Sequence, residues 1–103
     1  MPGDAPGAIL NDTEHSRFLL EESGATAELL YRRNGSRLIL VHTEVPDVLG
    51  GRGLGGQLVR AAVEFARAHH MTVVPSCPYA RRWLEGHPDV AATVAIEWEP
   101  PQP

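Results

Sequence analysis

A chain of 103 residues with 43% hydrophobic content amounts to one domain with a modest core and leaves no room for a second. Its formal charge of -4 is spread along the chain, which excludes the basic footprint of a nucleic-acid or anionic-membrane binder. All nine basic residues are arginine, so an amine substrate must come from outside, and a single cysteine excludes an internal disulfide or a multi-cysteine zinc site. No run reads as a signal peptide or membrane span, which makes the cytoplasm the default location, and so short a chain suits a monomer or small homo-oligomer.

Residues 1–8 and the proline-rich residues 99–103 read as tails around a domain spanning 9–98. Arg17 to Glu21, Thr26 to Arg32 and Arg37 to Val45 carry strand patterns. Ser23-Gly24 turns the first pair, and Asn34-Gly35 supplies a tight hairpin for the second, giving an antiparallel meander. The period then changes. Leu54, Leu58, Ala61, Ala62, Phe65 and His69 form one helical stripe, with Gln57, Arg60, Glu64 and Arg67 opposite, where Arg60 and Glu64 can pair. Thr72 to Ser76 follows as a buried strand, made parallel to the third by the helical crossover. Pro78 opens a second helix to Glu85, and Thr93 to Trp98 alternates like a last edge strand. The expected class is α+β.

Between the third strand and the first helix lies Gly50-Gly51-Arg52-Gly53-Leu54-Gly55-Gly56, five glycines in seven positions. Glycines there let a ligand approach the backbone, free helix amides point at an anion, and the Arg52 guanidinium can pair with phosphate. Gly51-x-Gly53-x-x-Gly56 also matches the dinucleotide fingerprint, but its context is wrong: a meander precedes it and no acidic residue closes the next strand. The Gly-Lys-Ser/Thr ending of a nucleotide P-loop is missing too.

The segments His42-Thr43-Glu44-Val45-Pro46, Gly51-Arg52-Gly53-Leu54-Gly55 and Val74-Pro75-Ser76-Cys77-Pro78-Tyr79 occur in that order. Together they resemble the small YjdJ-type single-domain branch of the GNAT N-acetyltransferase superfamily. The resemblance implies an acetyl-CoA co-substrate, no metal, and an amine acceptor. It implies that Gly51, Arg52, Gly53, Leu54, Gly55, Gly56 and Gln57 hold the coenzyme's diphosphate, and that backbone groups from Thr43 to Val45 meet the pantetheine arm. The chain departs from the superfamily's usual loop at Gly50, where glutamine or arginine is common. It also lacks the segments with which larger members shape an acceptor pocket.

Cys77 and the glycine loop both follow the carboxyl ends of neighbouring parallel strands, so they should face one crevice. As N-cap of the second helix, Cys77 sits where the helix's positive end favours a thiolate, which could accept an acetyl group or lie beside the coenzyme sulfur; a small buried core residue is the ordinary alternative. His42 suits a general base, although alternation puts it on the face of Leu38 and Leu40, where a core histidine is equally natural. Glu44 shares that face and is the other candidate base or amine anchor. Tyr79 carries an exchangeable proton, whereas Trp83 aligns with the tyrosine that larger relatives use as an acid; Arg81 and Arg82 could reach a ribose phosphate.

Overall fold

In the computed structural model, which describes residues 8–98, five strands form one sheet in the order β1-β2-β3-β4-β5. β1 (Leu10–Asp12), β2 (Arg17–Glu22), β3 (Ala25–Asn34) and β4 (Arg37–Glu44) run antiparallel to their neighbours. Helix α1 (Leu54–Ala68) then carries the chain across the sheet to β5 (Thr72–Pro75), which pairs parallel with β4. Helices α2 (Pro78–Glu85) and α3 (Pro88–Ala91) follow. The expected meander, crossover and parallel strand are present, with β1 as an additional edge.

Turn chemistry sets the register. β3 and β4 close through the two residues Gly35 and Ser36, with Asn34 facing Arg37. Gly35 alone takes the positive φ (62°), so the turn is built on Gly-Ser rather than Asn-Gly.

One side of the sheet forms the core. Phe18 and Leu20 of β2, Ala27, Leu29 and Tyr31 of β3, and Leu38 and Leu40 of β4 alternate inward. They meet Leu58, Val59, Ala62, Val63 and Ala66 of α1, and each large aliphatic side chain so buried contributes about 1.5–3 kcal/mol. The buried stripe of α1 is thus rotated from the expected one: Val59, Val63 and Ala66 enter it, while Ala61 and Phe65 lie at its margin and His69 is exposed. Arg60 does not pair with Glu64. Glu64 takes Arg67, and the Arg60 guanidinium lies 5.4 Å over the ring of Trp83.

Two departures concern the site directly. Tyr31 faces Leu40 while Leu30 faces His42, so Val41 is an extra residue in β4, a β-bulge. Because side-chain direction alternates, one inserted residue reverses every side chain beyond it. The second departure is the last segment. Thr93 to Trp98 forms no strand; α3 and a turn use Pro88 to Val94, and a single parallel bridge between Val73 and Ile96 remains. No helix among the described residues is long and apolar enough to cross a membrane.

Candidate functional site

β4 and β5 are paired from Arg37/Thr72 to Leu40/Pro75 and then separate, while β4 continues against β3 as far as Glu44. The Cys77 amide donates to the Leu40 carbonyl at 2.8 Å and closes the paired part. Beyond it and the bulged Val41, His42 to Glu44 keep a strand partner on the β3 side and, among the described residues, none on the β5 side. Unpaired backbone at a strand edge is a template for an extended ligand with amides of its own.

The glycine loop lies beside this split. Gly53 is the N-cap of α1, with φ 72° and ψ 20°, a left-handed conformation that glycine adopts without a β-carbon clash. A serine, threonine or aspartate there would turn a side-chain oxygen onto the first-turn amides, and its absence typically costs about 1 kcal/mol. Glycine supplies no such oxygen, and α1 has no side-chain cap. The first amide to find a carbonyl is that of Gln57, which donates to Gly53 at 3.1 Å. Among the described residues, the amides from Gly51 to Gly56 donate to no carbonyl or side chain. Gly51, Gly53, Leu54 and Gly55 of this run line a concavity of about 270 Å³, together with Val45, Asp47 and Tyr79. A row of open amides at a helix start is a site for a phosphate-type anion.

The Arg52 guanidinium, expected to meet phosphate, pairs with Glu22 at the end of β2. Its backbone amide remains in the loop. Two more glycines are set by packing. A β-carbon on Gly55 would stand 2.6 Å from the Tyr79 hydroxyl, and one on Gly56 would collide with the indole nitrogen of Trp83. Helix α2 therefore rests its aromatic side chains directly on the first turn of α1.

Cys77 is 2% exposed and occupies the N-cap of α2, as its position before Pro78 suggested. Its Sγ lies 3.4 Å from the Thr43 hydroxyl, so a side-chain contact spans the split where backbone pairing has stopped. Thr43 faces Leu29 across β3 and shares the helix side of the sheet. His42 and Glu44 point the other way. The bulge at Val41 takes His42 off the face of Leu38 and Leu40 and leaves it exposed, opposite Leu30, with Glu44 opposite Glu28. The His42 and Glu44 side chains meet at 3.0 Å between Nε2 and Oε1. With Nε2–H donating to the carboxylate, Nδ1 is left with a lone pair.

Burial raises the pKa of Tyr79 above its usual value of 10.0, and the neighbouring Cys77 adds to the shift, so the phenol keeps its proton at neutral pH. The sequence offers Tyr79 only as a weaker candidate acid; the packing of α2 on α1 brings it to the loop. Arg81 is engaged elsewhere, donating to the Trp98 carbonyl at 2.9 Å and approaching Glu85 at 3.5 Å. A larger concavity of about 460 Å³ lies there, between α2, α3 and Trp98, and shares no lining residue with the one at the glycine loop. Among the described residues, no group of three histidine, cysteine or acidic side chains could hold a metal ion.

A split pair of parallel strands beside an uncapped helix start, at one end of a mixed five-stranded sheet, is the arrangement that sets the class of this fold. Comparison with known proteins gives that class a family. Residues 17–94 match the family described as GCN5-related N-acetyl-transferase, and the chain belongs to it. It is 31% identical over 86 residues to Protein NATD1 of Gallus gallus, covering 81% of this chain and 78% of that protein. The same identity holds against Protein NATD1 of Homo sapiens, with 81% and 76% covered. A GCN5-like protein of Staphylococcus aureus, solved by NMR, superposes with a TM-score of 0.69 at 28% identity, covering 92% of this chain and 94% of that one.

Proposed function

We propose that this chain transfers an acetyl group from acetyl-CoA to an amine. The observation that carries this reading is the run of open amides from Gly51 to Gly56 beside the split of β4 and β5. On this reading, the amides from Gly51 to Gly56 receive the diphosphate, Gln57 being excluded because its amide is taken by the Gly53 carbonyl, and the free edge from Thr43 to Val45 pairs with the pantetheine arm. The thioester then lies near Thr43 and Cys77. The amine nitrogen attacks the thioester carbonyl, the C–S bond breaks, and the thiolate leaves with a proton from water or a neighbouring acid. His42, with Nε2 held by Glu44, takes the proton lost by the amine at Nδ1, directly or through water. The buried Cys77 favours direct transfer over an acetyl-cysteine.

A non-catalytic acyl-CoA-binding module is the second reading. It is favoured by the bulge, which turns His42 and Glu44 to the face opposite Thr43 and Cys77. Calorimetry with acetyl-CoA on wild type and Gly53→Glu tests the shared premise. The glutamate adds charge and bulk at a positive-φ position, and unchanged affinity would remove the loop from both readings. Release of free coenzyme only when an amine is present supports the enzyme. Binding without turnover across a broad amine panel supports the module.

A further inference from the structure

We propose that Tyr79 and Trp83 of α2 act as side-chain donors to the diphosphate, completing from a second helix the cradle that the α1 amides begin. This rests on the reading of the loop as a coenzyme diphosphate site.

Tyr79 and Trp83 are four residues apart and so project from one face of α2. That face lies on Gly55 and Gly56, the second and third residues of α1, whose amides have no acceptor within the helix. The Tyr79 hydroxyl occupies the β-carbon position of Gly55 and the Trp83 indole nitrogen that of Gly56, two residues whose amides are open. Among the described residues, neither the Tyr79 hydroxyl nor the Trp83 indole nitrogen makes a side-chain hydrogen bond; Tyr79 is 41% exposed and lines the concavity at the loop, and the indole nitrogen of half-buried Trp83 is not sealed from solvent. An indole N–H is donor only, and the phenol is held in its protonated form, so both remain donors wherever a phosphate is charged.

The indole is also fixed in place. His87 stacks on it at 3.8 Å with an interplanar angle of 13°, and the His87 Nδ1 is tied to the Trp83 carbonyl at 2.7 Å. Arg60, one turn beyond Gly56, sets its guanidinium 5.4 Å over the same ring and adds positive potential to this end of α1. A donor whose rotamer is held by its neighbours loses little entropy on binding. The two glycines leave the space that the α2 donors fill.

The alternative role for Tyr79, protonating the departing thiolate, predicts something different. A diphosphate donor affects ligands that carry the diphosphate. A thiolate acid affects turnover whatever handle carries the acyl group.

Titration calorimetry of the full chain with coenzyme A and with pantetheine, which has no diphosphate, separates them. Tyr79→Phe and Trp83→Phe should each weaken coenzyme A binding about tenfold, the usual worth of a hydrogen bond to a charged group, and leave pantetheine affinity within about twofold. Unchanged coenzyme A affinity in both variants overturns the proposal, as does a Tyr79→Phe variant that loses kcat with KM intact on acetyl-pantetheine. If Trp83→Phe fails to fold, the wild-type protein supplies the readout. It has two tryptophans, so two indole N–H signals, assigned with Trp98→Phe. The Trp83 signal should move downfield with coenzyme A and stay put with pantetheine; a stationary signal at saturating coenzyme A refutes its role. Wild type that binds no coenzyme A fails the reading of the loop itself, whereas wild type that binds while the variants match it fails only the donors.

Discussion

The Tyr79 hydroxyl stands 2.6 Å from the place where a β-carbon on Gly55 would lie, so α2 and the start of α1 are fitted to each other through a missing side chain. The same holds for Trp83 over Gly56, one residue on.

Gly56→Ala therefore sets two effects against each other. Alanine favours a helix over glycine by about 1 kcal/mol, but the added methyl must displace a stacked indole, and overpacking costs about 1–3 kcal/mol. We expect a net loss of about 1 kcal/mol in urea denaturation. A variant as stable as wild type would show that Trp83 swings aside freely.

His70→Gly should be stabilising. At the end of α1 the Met71 amide bonds the Ala66 carbonyl at 2.8 Å and the His70 amide bonds the Arg67 carbonyl at 3.3 Å, the closing pattern in which the residue after the cap is left-handed. His70 takes that conformation with φ 56°, where glycine has no β-carbon to strain. A gain of about 1 kcal/mol, seen as a melting temperature roughly 4–8 °C higher, is expected. No rise would mean that the imidazole makes up for the strain.

Cys77→Ala tests the route of transfer. If the amine attacks the thioester directly, the variant keeps kcat within about tenfold of wild type, since only a buried packing group and a contact with Thr43 are lost. Loss of several orders of magnitude, with trapping of an acetylated thiol in wild type, would establish the covalent route instead.

Acid stability should depend on the Arg17 cluster. Arg17 Nε bonds Asp12 at 3.1 Å and Nη1 bonds Glu28 at 2.7 Å, tying β1 to β3 through β2. The bond from Arg17, with a smaller contribution from His15, holds the Asp12 pKa below its ordinary 3.8. A carboxylate with a depressed folded pKa contributes stability that is present above the unfolded value and is lost as pH falls through the folded one. Carboxyl NMR titration should show Asp12 ionising below 3.8 in wild type and returning towards it in Arg17→Gln. A wild-type value at or above the ordinary one would contradict the pairing.

The loop and the strand order were readable in the sequence because their signals are local: clustered glycines, a turn at Gly35, and a change of period after Gly53. Cys77 as a helix cap was readable for the same reason, since Pro78 fixes the start of α2. What escaped depended on contacts between distant residues. Tyr79 and Trp83 matter through the packing of α2 on α1, which no spacing within α2 announces. Arg60 offered a plausible partner four residues away in Glu64, yet the ring of Trp83 claims it. Leu10–Asp12 is too short, and too rich in turn-forming asparagine and aspartate, to read as a strand without its pairing to β2.

The extra residue in β4 divides one strand into two territories. Up to Leu40, an even step along the chain leads back into the hydrophobic interior. After Val41 the same step leads out to water, with Thr43 alone still turned towards the cysteine. Removing Val41 would therefore do more than shorten a strand. It would exchange the stations of Thr43 and its two neighbours, drawing His42 and Glu44 beneath the helices and sending the threonine outside, while leaving the composition of the site almost unchanged.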